Sequence, residues 1–173
     1  LVLQLAAEYA DLSAIGRMNL SIDGDDPDAI EEARIEFAKF LDSFGLETIR
    51  YALPYADGRV AELRGDCRLA TRRFSEAMEL NPGDAWIRLA LARCLRLKGD
   101  YRAARDNLEY LLELVPVHPD VHYELALVLE AEGDTAEAID HLRTSLGVWE
   151  ESDPDFPPAR AARRELAELQ RRS

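Results

Sequence analysis

Residues Ala85–Gly133 read AWIRLALARCLRLKGDYRAARDNLEYLLELVPVHPDVHYELALVLEAEG and hold the clearest copy of a repeated pair of helices. Gly99-Asp100 and Gly133-Asp134 lie 34 residues apart, and one further step of 34 towards the N-terminus reaches Gly65-Asp66. Repetition at a fixed period of this length is typical of arrays in which helical hairpins stack on one another. The period therefore predicts the fold class before any local helix signal is considered.

Each copy repeats the residue types that two packed helices need. The Gly ends one helix in a left-handed backbone conformation, and we expect the Asp that follows to cap the next helix. A small residue comes five positions after each Gly, and a large apolar residue comes nine positions after it. This arrangement lets two helices approach closely and fills the space beside them. The small residues are Ala70, Ala104 and Ala138, and the large ones are Phe74, Leu108 and Leu142.

These residues resemble the tetratricopeptide repeat, a helix-turn-helix unit of 34 residues. The resemblance covers residues 51–150 as three copies, at about 51–84, 85–118 and 119–150. It implies an all-α fold, a right-handed α-solenoid of antiparallel helix pairs. The first copy departs from the family's pattern at Pro54 and at Asp57-Gly58, where an apolar and a small residue are expected. The third copy departs from it at Ser145 and Glu150, where Ala and Pro are usual.

Further helices are predicted on both sides of the repeats. Residues 1–50 read as an N-terminal helical hairpin and connector, with one helix over residues 1–20 whose apolar stripe includes Leu20. The second helix starts at Asp26-Pro27, with Asp26 as the N-cap and Pro27 in the first turn, and stops at Gly45. Whether this hairpin is a degenerate repeat stays open. Residues 151–173 read as a Pro-rich connection and an amphipathic helix over Pro158–Arg171, which we expect to cap the array.

The segment Leu46–Arg64 admits two interpretations. In one, a short helix ends near Leu53, because Pro54 interrupts the pattern. In the other, the repeat frame places the first repeat helix at about Tyr55–Arg64. Apolar residues at helical spacing also continue through Gly65, so that Gly65 is either a turn or part of a continuous helix. The period of the repeat favours the turn.

Composition and charge limit the classes of function. The chain has 34 acidic and 21 basic residues, with a formal net charge of −13. Such a balance repels a nucleic-acid backbone, and no run approaches the roughly 18 apolar residues of a membrane span. Two isolated cysteines, Cys67 and Cys94, fit a reducing compartment and hence the cytoplasm. The chain begins at Leu1 in the middle of a helical pattern, so that we expect an excised piece whose upstream signal would be missing.

The sequence indicates neither catalysis nor a metal or cofactor site. His118 and His122 have the spacing of metal ligands, but Pro119 lies between them and no nearby Cys completes a site. The acidic run at 23–28 is interrupted by Pro27, and Arg34 stands where a calcium loop requires Glu. A Gly-rich phosphate loop and a nucleophile elbow are both missing from the sequence. We therefore expect a protein that is not an enzyme and holds no cofactor.

The family resemblance implies a concave groove, lined by the first helix of each repeat, that binds a peptide or helix of a partner protein. The first two copies supply Arg to this surface and the third supplies carboxylates, so that we expect a groove graded in charge. Binding of an acidic chaperone tail is not expected, because Asp120 and Glu124 stand where cations are needed. The repeat frame places these residues on the groove: Tyr55, Arg59, Trp86, Leu89, Arg93, Arg96, Tyr123, Glu124 and Leu127.

The alternative function is structural. The array would then mediate self-association into a homo-oligomer, or dock within a larger multidomain protein and support a catalytic domain elsewhere in the parent chain. The same apolar groove residues, Trp86, Tyr123 and Leu127, would serve either function. The sequence does not identify the partner.

Overall fold

The computed structural model describes residues 13–150 and 156–172. Every regular element in these ranges is an α-helix, which confirms the predicted all-α, tetratricopeptide-like fold class. The chain divides into two compact units, Leu1–Ala90 and Leu91–Ser173, which are described one at a time. The domain boundaries drawn from the repeat frame remain predictions.

Unit 1 is built from helical hairpins. Helix α1 covers residues 13–22 of the described chain, and it is followed by α2 at Pro27–Phe44, α3 at Ala52–Leu63 and α4 at Cys67–Leu80. Helix α3 packs against both α2 and α4. Helix α5, at Ala85–Leu97, contains the boundary between the units.

Unit 2 continues the pattern of hairpins. Its helices are α6 at Tyr101–Leu114, α7 at Pro119–Glu132, α8 at Thr135–Val148 and α9 at Pro157–Arg172. Each of these helices packs against the next one along the chain. The small and large repeat residues of both units are buried, as the close packing of helix pairs requires.

The turn at Gly65 settles one open question from the sequence. Gly65 has φ of 79°, in the left-handed region, and the Asp66 amide donates to the Ala61 carbonyl at 2.8 Å. This is the bond that closes a helix in a Schellman turn. Helix α3 therefore ends before Gly65, and the continuous helix is excluded. Gly99 and Gly133 make the same turn, with φ of 81° and 93°.

The expected Asp caps hold in two copies of the repeat. The carboxylates of Asp66 and Asp100 accept from the amides of Leu69 and Ala103, at 3.0 and 3.4 Å. The carboxylate of Asp134 makes no such bond to helix α8, and it accepts instead from the Arg105 guanidinium at 3.2 Å. The prediction of a side-chain cap is therefore wrong for the third copy, where an arginine competes for the same oxygen.

Helix α3 follows the second interpretation of Leu46–Arg64 and begins earlier than expected, at Ala52. Pro54 lies in its first turn, where the missing amide proton breaks no helical hydrogen bond. Gly58 is required for the close packing of this repeat, because a Cβ built there would overlap Cε1 of Phe74. Asp57, which stands where an apolar residue is expected, pairs with Arg34 at 2.5 Å.

Ser145 is one of the two positions at which the third copy departs from the family's pattern. Its side chain is fully buried in helix α8, and its hydroxyl donates to the carbonyl of Pro119 at 2.8 Å. A serine therefore fills the place of the usual alanine without leaving a buried polar group unsatisfied.

The N-terminal hairpin is partly as expected. Asp26 caps α2 by accepting from the amides of Asp28 and Ala29, and Gly45 ends the helix with φ of 64°. The expected apolar stripe of α1 is wrong at Leu20, which is 81% exposed, since the helix buries Met18 and Ile22 instead. Residues 1–12 of the predicted helix lie outside the described residues.

Helix α9 packs against α8. It buries Ala159, Ala162 and Leu169 and turns its charged residues outward, which is the amphipathic arrangement expected of a capping helix. It is one residue longer at each end than the sequence predicts. Residues 151–155 of the predicted Pro-rich connection lie outside the described residues.

Candidate interaction surfaces

A pocket of about 490 Å³ opens in unit 1 beside helices α1 and α3 and the start of α5. We call it the aromatic pocket. Two of the residues that the sequence assigns to the groove, Tyr55 and Trp86, belong to its wall. The full wall consists of Met18, Asn19, Ile22, Asp23, Tyr51, Ala52, Tyr55, Asp84 and Trp86.

Tyr55 forms a rigid part of this wall. Its ring packs against that of Phe74 with 5.9 Å between the centroids. Burial raises the pKa of Tyr55 to about 12; Arg59 opposes the rise, and the Asp84 and Asp23 carboxylates add to it. The phenol is therefore neutral at physiological pH and keeps its proton as a hydrogen-bond donor.

Trp86 and Asp84 lie together where α5 begins. The Asp84 carboxylate accepts from the backbone amides of Trp86 and Ile87 at 3.0 and 3.1 Å, which caps the helix. Trp86 is 61% exposed, although it is the largest apolar side chain in the wall. Leu89, one turn further along, is buried. The cap thus fixes the backbone that presents the indole beside the pocket.

Arg59 connects two helices of unit 1. Its guanidinium donates to the carbonyl oxygens of Ile22 and Gly24, both at 3.3 Å, and pairs with Glu62. Its side chain is only 12% exposed. These carbonyls lie at and beyond the end of α1, where helical acceptors lack intrahelical partners. Arg59 thereby fastens α3 to the end of α1.

Arg93, Arg96 and Glu124 form one ion-pair cluster in unit 2. The two oxygens of Glu124 accept from Nε of Arg93 at 3.0 Å and from Nε of Arg96 at 2.8 Å. The Glu124 side chain is 5% exposed. Within this cluster the arginines of the second copy neutralise a carboxylate of the third. The charge gradient expected along the groove is weakened at these positions.

Tyr123 and Leu127 lie half-buried on helix α7. The Tyr123 ring is 6.3 Å from that of Trp149, which in turn meets Phe156 edge-on at 5.7 Å. Burial raises the pKa of Tyr123, and the nearby Glu124 adds to the rise. The sequence frame assigned neither Trp149, at the end of the third copy, nor Phe156, beyond it, to the groove.

A histidine pair joins α7 to α8. Nδ1 of His122 lies 2.7 Å from Nδ1 of His141, and Nε2 of His122 lies 3.0 Å from the Pro116 carbonyl. A carbonyl only accepts, so the neutral His122 donates from Nε2 and its Nδ1 accepts from His141. Burial, together with the His122 neighbour, lowers the pKa of His141. The partner of His122 is therefore His141, not the His118 that the sequence spacing singled out.

Two negative findings apply to the described part of the chain. Residues 13–150 and 156–172 contain no group of three or more His, Cys, Asp or Glu side chains placed to hold a metal ion. Within the same ranges, each helix is too short or too polar to cross a lipid bilayer.

Comparison with known proteins identifies the repeat. A family model described as tetratricopeptide repeat matches residues 89–155, and a second with the same description matches residues 63–105. No curated protein sequence matches the chain.

Solved structures with the same fold include two forms of one protein. The structure titled "MamA 41-end from Desulfovibrio magneticus RS-1" has a TM-score of 0.60 and 17% identity, covering 85% of this chain and 87% of that one. The structure titled "MamA RS-1 ArsTM double mutant" has a TM-score of 0.58 and 17% identity, covering 82% and 85%. At this identity the likeness shows the fold alone. Helix pairs with Gly-Asp turns and the two family matches lead to the same conclusion: the chain belongs to the tetratricopeptide repeat family.

Proposed function

We propose that this chain is a non-catalytic scaffold that binds a segment of a partner protein, and that the aromatic pocket of unit 1 is a contact site. The repeat family supports a protein-interaction scaffold in general. The observation that carries the location is Trp86, a large apolar side chain that is 61% exposed on the wall of an open pocket. Tryptophan and tyrosine are among the side chains that most often anchor protein interfaces.

In unit 2 the proposed contacts are Tyr123 and Leu127, because each is half-buried and presents apolar surface. Glu124 forms ion pairs with Arg93 and Arg96. In this proposal the three side chains support the bound segment together, as one cluster. In unit 1, Arg59 and Leu89 would act mainly by holding the helices that carry Tyr55 and Trp86. The proposal includes no nucleic-acid partner, because a net charge of −13 repels phosphates.

Self-association is the second candidate function. Unit 2 exposes Leu114 at the end of α6 and Val115 and Val117 in the loop before α7, each 48–60% accessible. Adjacent exposed apolar residues favour contact with another protein surface. Light scattering of the purified chain tests this candidate. A dimer that dissociates when Leu114 and Val117 are changed to Ser supports self-association, and a monomer at all concentrations contradicts it.

The proposed pocket is tested by selection from a random peptide library, followed by affinity measurement on two variants. Trp86→Ala removes the exposed indole from the pocket wall. Leu80→Ala is the matched control, because Leu80 is 59% exposed in the same unit and lies outside the wall. We expect selected peptides to lose about tenfold or more in affinity with Trp86→Ala and to keep it with Leu80→Ala. Equal affinity for both variants would contradict the location.

A further inference from the structure

The aromatic pocket combines aromatic faces with carboxylates that form no ion pair among the described residues. Tyr51, Tyr55 and Trp86 supply the rings, and Asp23 and Asp84 supply the negative charge. Among the described residues that form its wall there is neither Arg nor Lys. The face of an aromatic ring attracts a cation, and a nearby carboxylate adds a direct charge interaction.

The carboxylates of this pocket differ from most others in unit 1. Asp28 and Glu31 pair with Arg64, Asp57 pairs with Arg34, and Glu62 pairs with Arg59. The exposed Asp23 has no ion-pair partner among the described residues. Asp84 accepts from amides, including the side-chain amide of Asn81 at 3.3 Å, but these neutral donors do not cancel its charge. The pocket therefore keeps two negative charges that arginines balance elsewhere.

A second pocket of unit 1 has a wall in which positive and negative charges balance. This pocket, of about 620 Å³, lies between α2, α3 and α4 and is lined by both signs of charge. Its arginines Arg34, Arg64 and Arg73 are all paired with carboxylates of the same unit. It therefore has no net preference for a charged ligand, whereas the aromatic pocket favours a positive one.

Resting on the proposed function, we infer that the aromatic pocket receives a Lys or Arg side chain from a basic segment of the partner protein. The aliphatic stem lies against Met18, Ile22 and the aromatic rings, because long cationic side chains bury their methylene groups on apolar surface. The charged end reaches Asp23 and Asp84 at the edge of the pocket. The Tyr55 phenol keeps its proton and adds no negative charge of its own.

The test uses a fluorescein-labelled decapeptide that contains four lysines spaced by Ala and Gly. Two matched peptides replace Lys by norleucine, which keeps the stem, or by Glu, which reverses the charge. Fluorescence anisotropy with the full chain measures binding at low and high salt. We expect only the Lys peptide to bind, with an affinity that falls as salt screens the charges.

Three single substitutions separate the pocket from the general acidity of the chain. Asp23→Asn and Asp84→Asn each remove one pocket charge, and Asn at position 84 still caps α5 because Asn is as good an N-cap as Asp. Asp25→Asn is the control, because Asp25 is exposed, lies outside the pocket wall and carries the same charge. We expect each pocket variant to weaken Lys-peptide binding by about threefold or more, and Asp25→Asn to leave it unchanged.

Each contrary outcome has a distinct meaning. Equal weakening by all three variants, or equal binding of the Lys and norleucine peptides, overturns the inference. Library peptides could instead depend on Trp86 but lack Lys and Arg, and bind the Asp23→Asn variant with unchanged affinity. That result overturns the inference and leaves the proposed function standing. Library peptides that ignore Trp86 overturn the proposed location itself. A second copy of the chain that occupies the pocket, detected as a dimer lost with Trp86→Ala, also overturns the basic partner.

Discussion

At the scale of single residues, Gly58 shows how a position that looks like a defect serves the repeat. It lies inside helix α3, where glycine costs about 1 kcal/mol relative to alanine. The fully buried Phe74 ring occupies the space that a side chain would take. Because the ring has no room to move away cheaply in a packed core, the glycine is needed for helices α3 and α4 to meet.

Gly58→Ala is predicted to lower the free energy of unfolding by up to about 2 kcal/mol. The overlap with Phe74 costs about 1–3 kcal/mol, and the gain of about 1 kcal/mol in helix propensity offsets only part of this range. Chemical denaturation measures the change. The control is Gly147→Ala in helix α8, where nothing lies within 4 Å of the new Cβ, and we expect a neutral or stabilising effect there. A stabilised Gly58→Ala protein would refute the close approach.

Glu124 is the second residue whose role depends on its surroundings. It receives Arg93 and Arg96 on separate oxygens and is almost fully buried. Glu124→Ala is predicted to lower the free energy of unfolding by about 1–3 kcal/mol, because two charged donors lose their acceptor. Urea denaturation measures the change in the free energy of unfolding. Asp140→Ala is the control, because the exposed Asp140–Arg143 pair should contribute little to stability. Equal effects of the two variants would contradict a structural role for Glu124.

The ion-pair cluster of Arg93, Arg96 and Glu124 also determines which substitutions are useful in a binding experiment. Charge reversal of Arg93 and Arg96 to Glu would place two more carboxylates beside buried Glu124. Like charges at such distances are costly, so this variant would report on folding before it reported on binding. Trp86 and Asp23 are exposed, so substitutions there report on binding without a prior effect on folding.

At the scale of elements, the contact between α7 and α8 contains the His122–His141 pair. Glu137 and Asp140 favour the protonated form of His141, but burial, His122 and Arg105 oppose it, and the pKa is lowered. A lowered pKa in the folded state means that the unfolded chain takes up the proton first as the pH falls. The stabilising effect of the neutral pair is therefore present above the ordinary histidine pKa of about 6.5 and is lost below it.

His141→Gln is predicted to reduce the fall in melting temperature between pH 7.5 and pH 5.5. The Gln amide can still donate to His122 and takes up no proton in this range. Thermal unfolding of the two proteins at both pH values measures the difference, and the carboxylates shared by the two proteins cancel in the comparison. An unchanged fall in the variant would show that protonation of His141 does not contribute to the pH dependence of stability.

The C-terminal helix α9 is the other element with a testable role. Ala162→Glu would place a charge at a fully buried position in the α8–α9 contact, whereas Ala167→Glu adds the same charge at an exposed position of the same helix. We expect Ala162→Glu to lower the melting temperature by several degrees, since burying an unpaired charge is costly. Ala167→Glu should have little effect. Similar melting temperatures for both variants would contradict the capping role.

At the scale of the whole molecule, the repeat period was sufficient to predict helical pairs over residues 51–150, whereas the helices outside this range were predicted from apolar stripes and cap residues. The end of α4 and the start of α8 can be read from the sequence, because Asn81-Pro82 directly follows α4 and Gly133-Asp134 directly precedes α8. The start of α3 was less predictable, since proline is equally compatible with a helix end and a first turn. The period also singled out Gly65, and its left-handed backbone confirms the turn.

The candidate surfaces were less predictable for a physical reason. Arg59 reaches carbonyls 35 and 37 residues away, and the Glu124 cluster joins residues 28 and 31 positions apart. A repeat frame assigns a residue to a face of a helix but gives no information on which opposite charge lies across from it. The same limit applies to His141, whose partner lies on the preceding helix.

The assignment of protein binding to the aromatic pocket is tested most directly by photo-cross-linking. A photoreactive benzoylphenylalanine replaces the exposed Asn19 in the pocket wall, or Leu80 outside it, and each protein is irradiated with a library-selected peptide. We predict a covalent adduct with the peptide at position 19, competed by unlabelled peptide, and none at position 80. Adducts at position 80 alone, or at both positions equally, would contradict binding in the pocket.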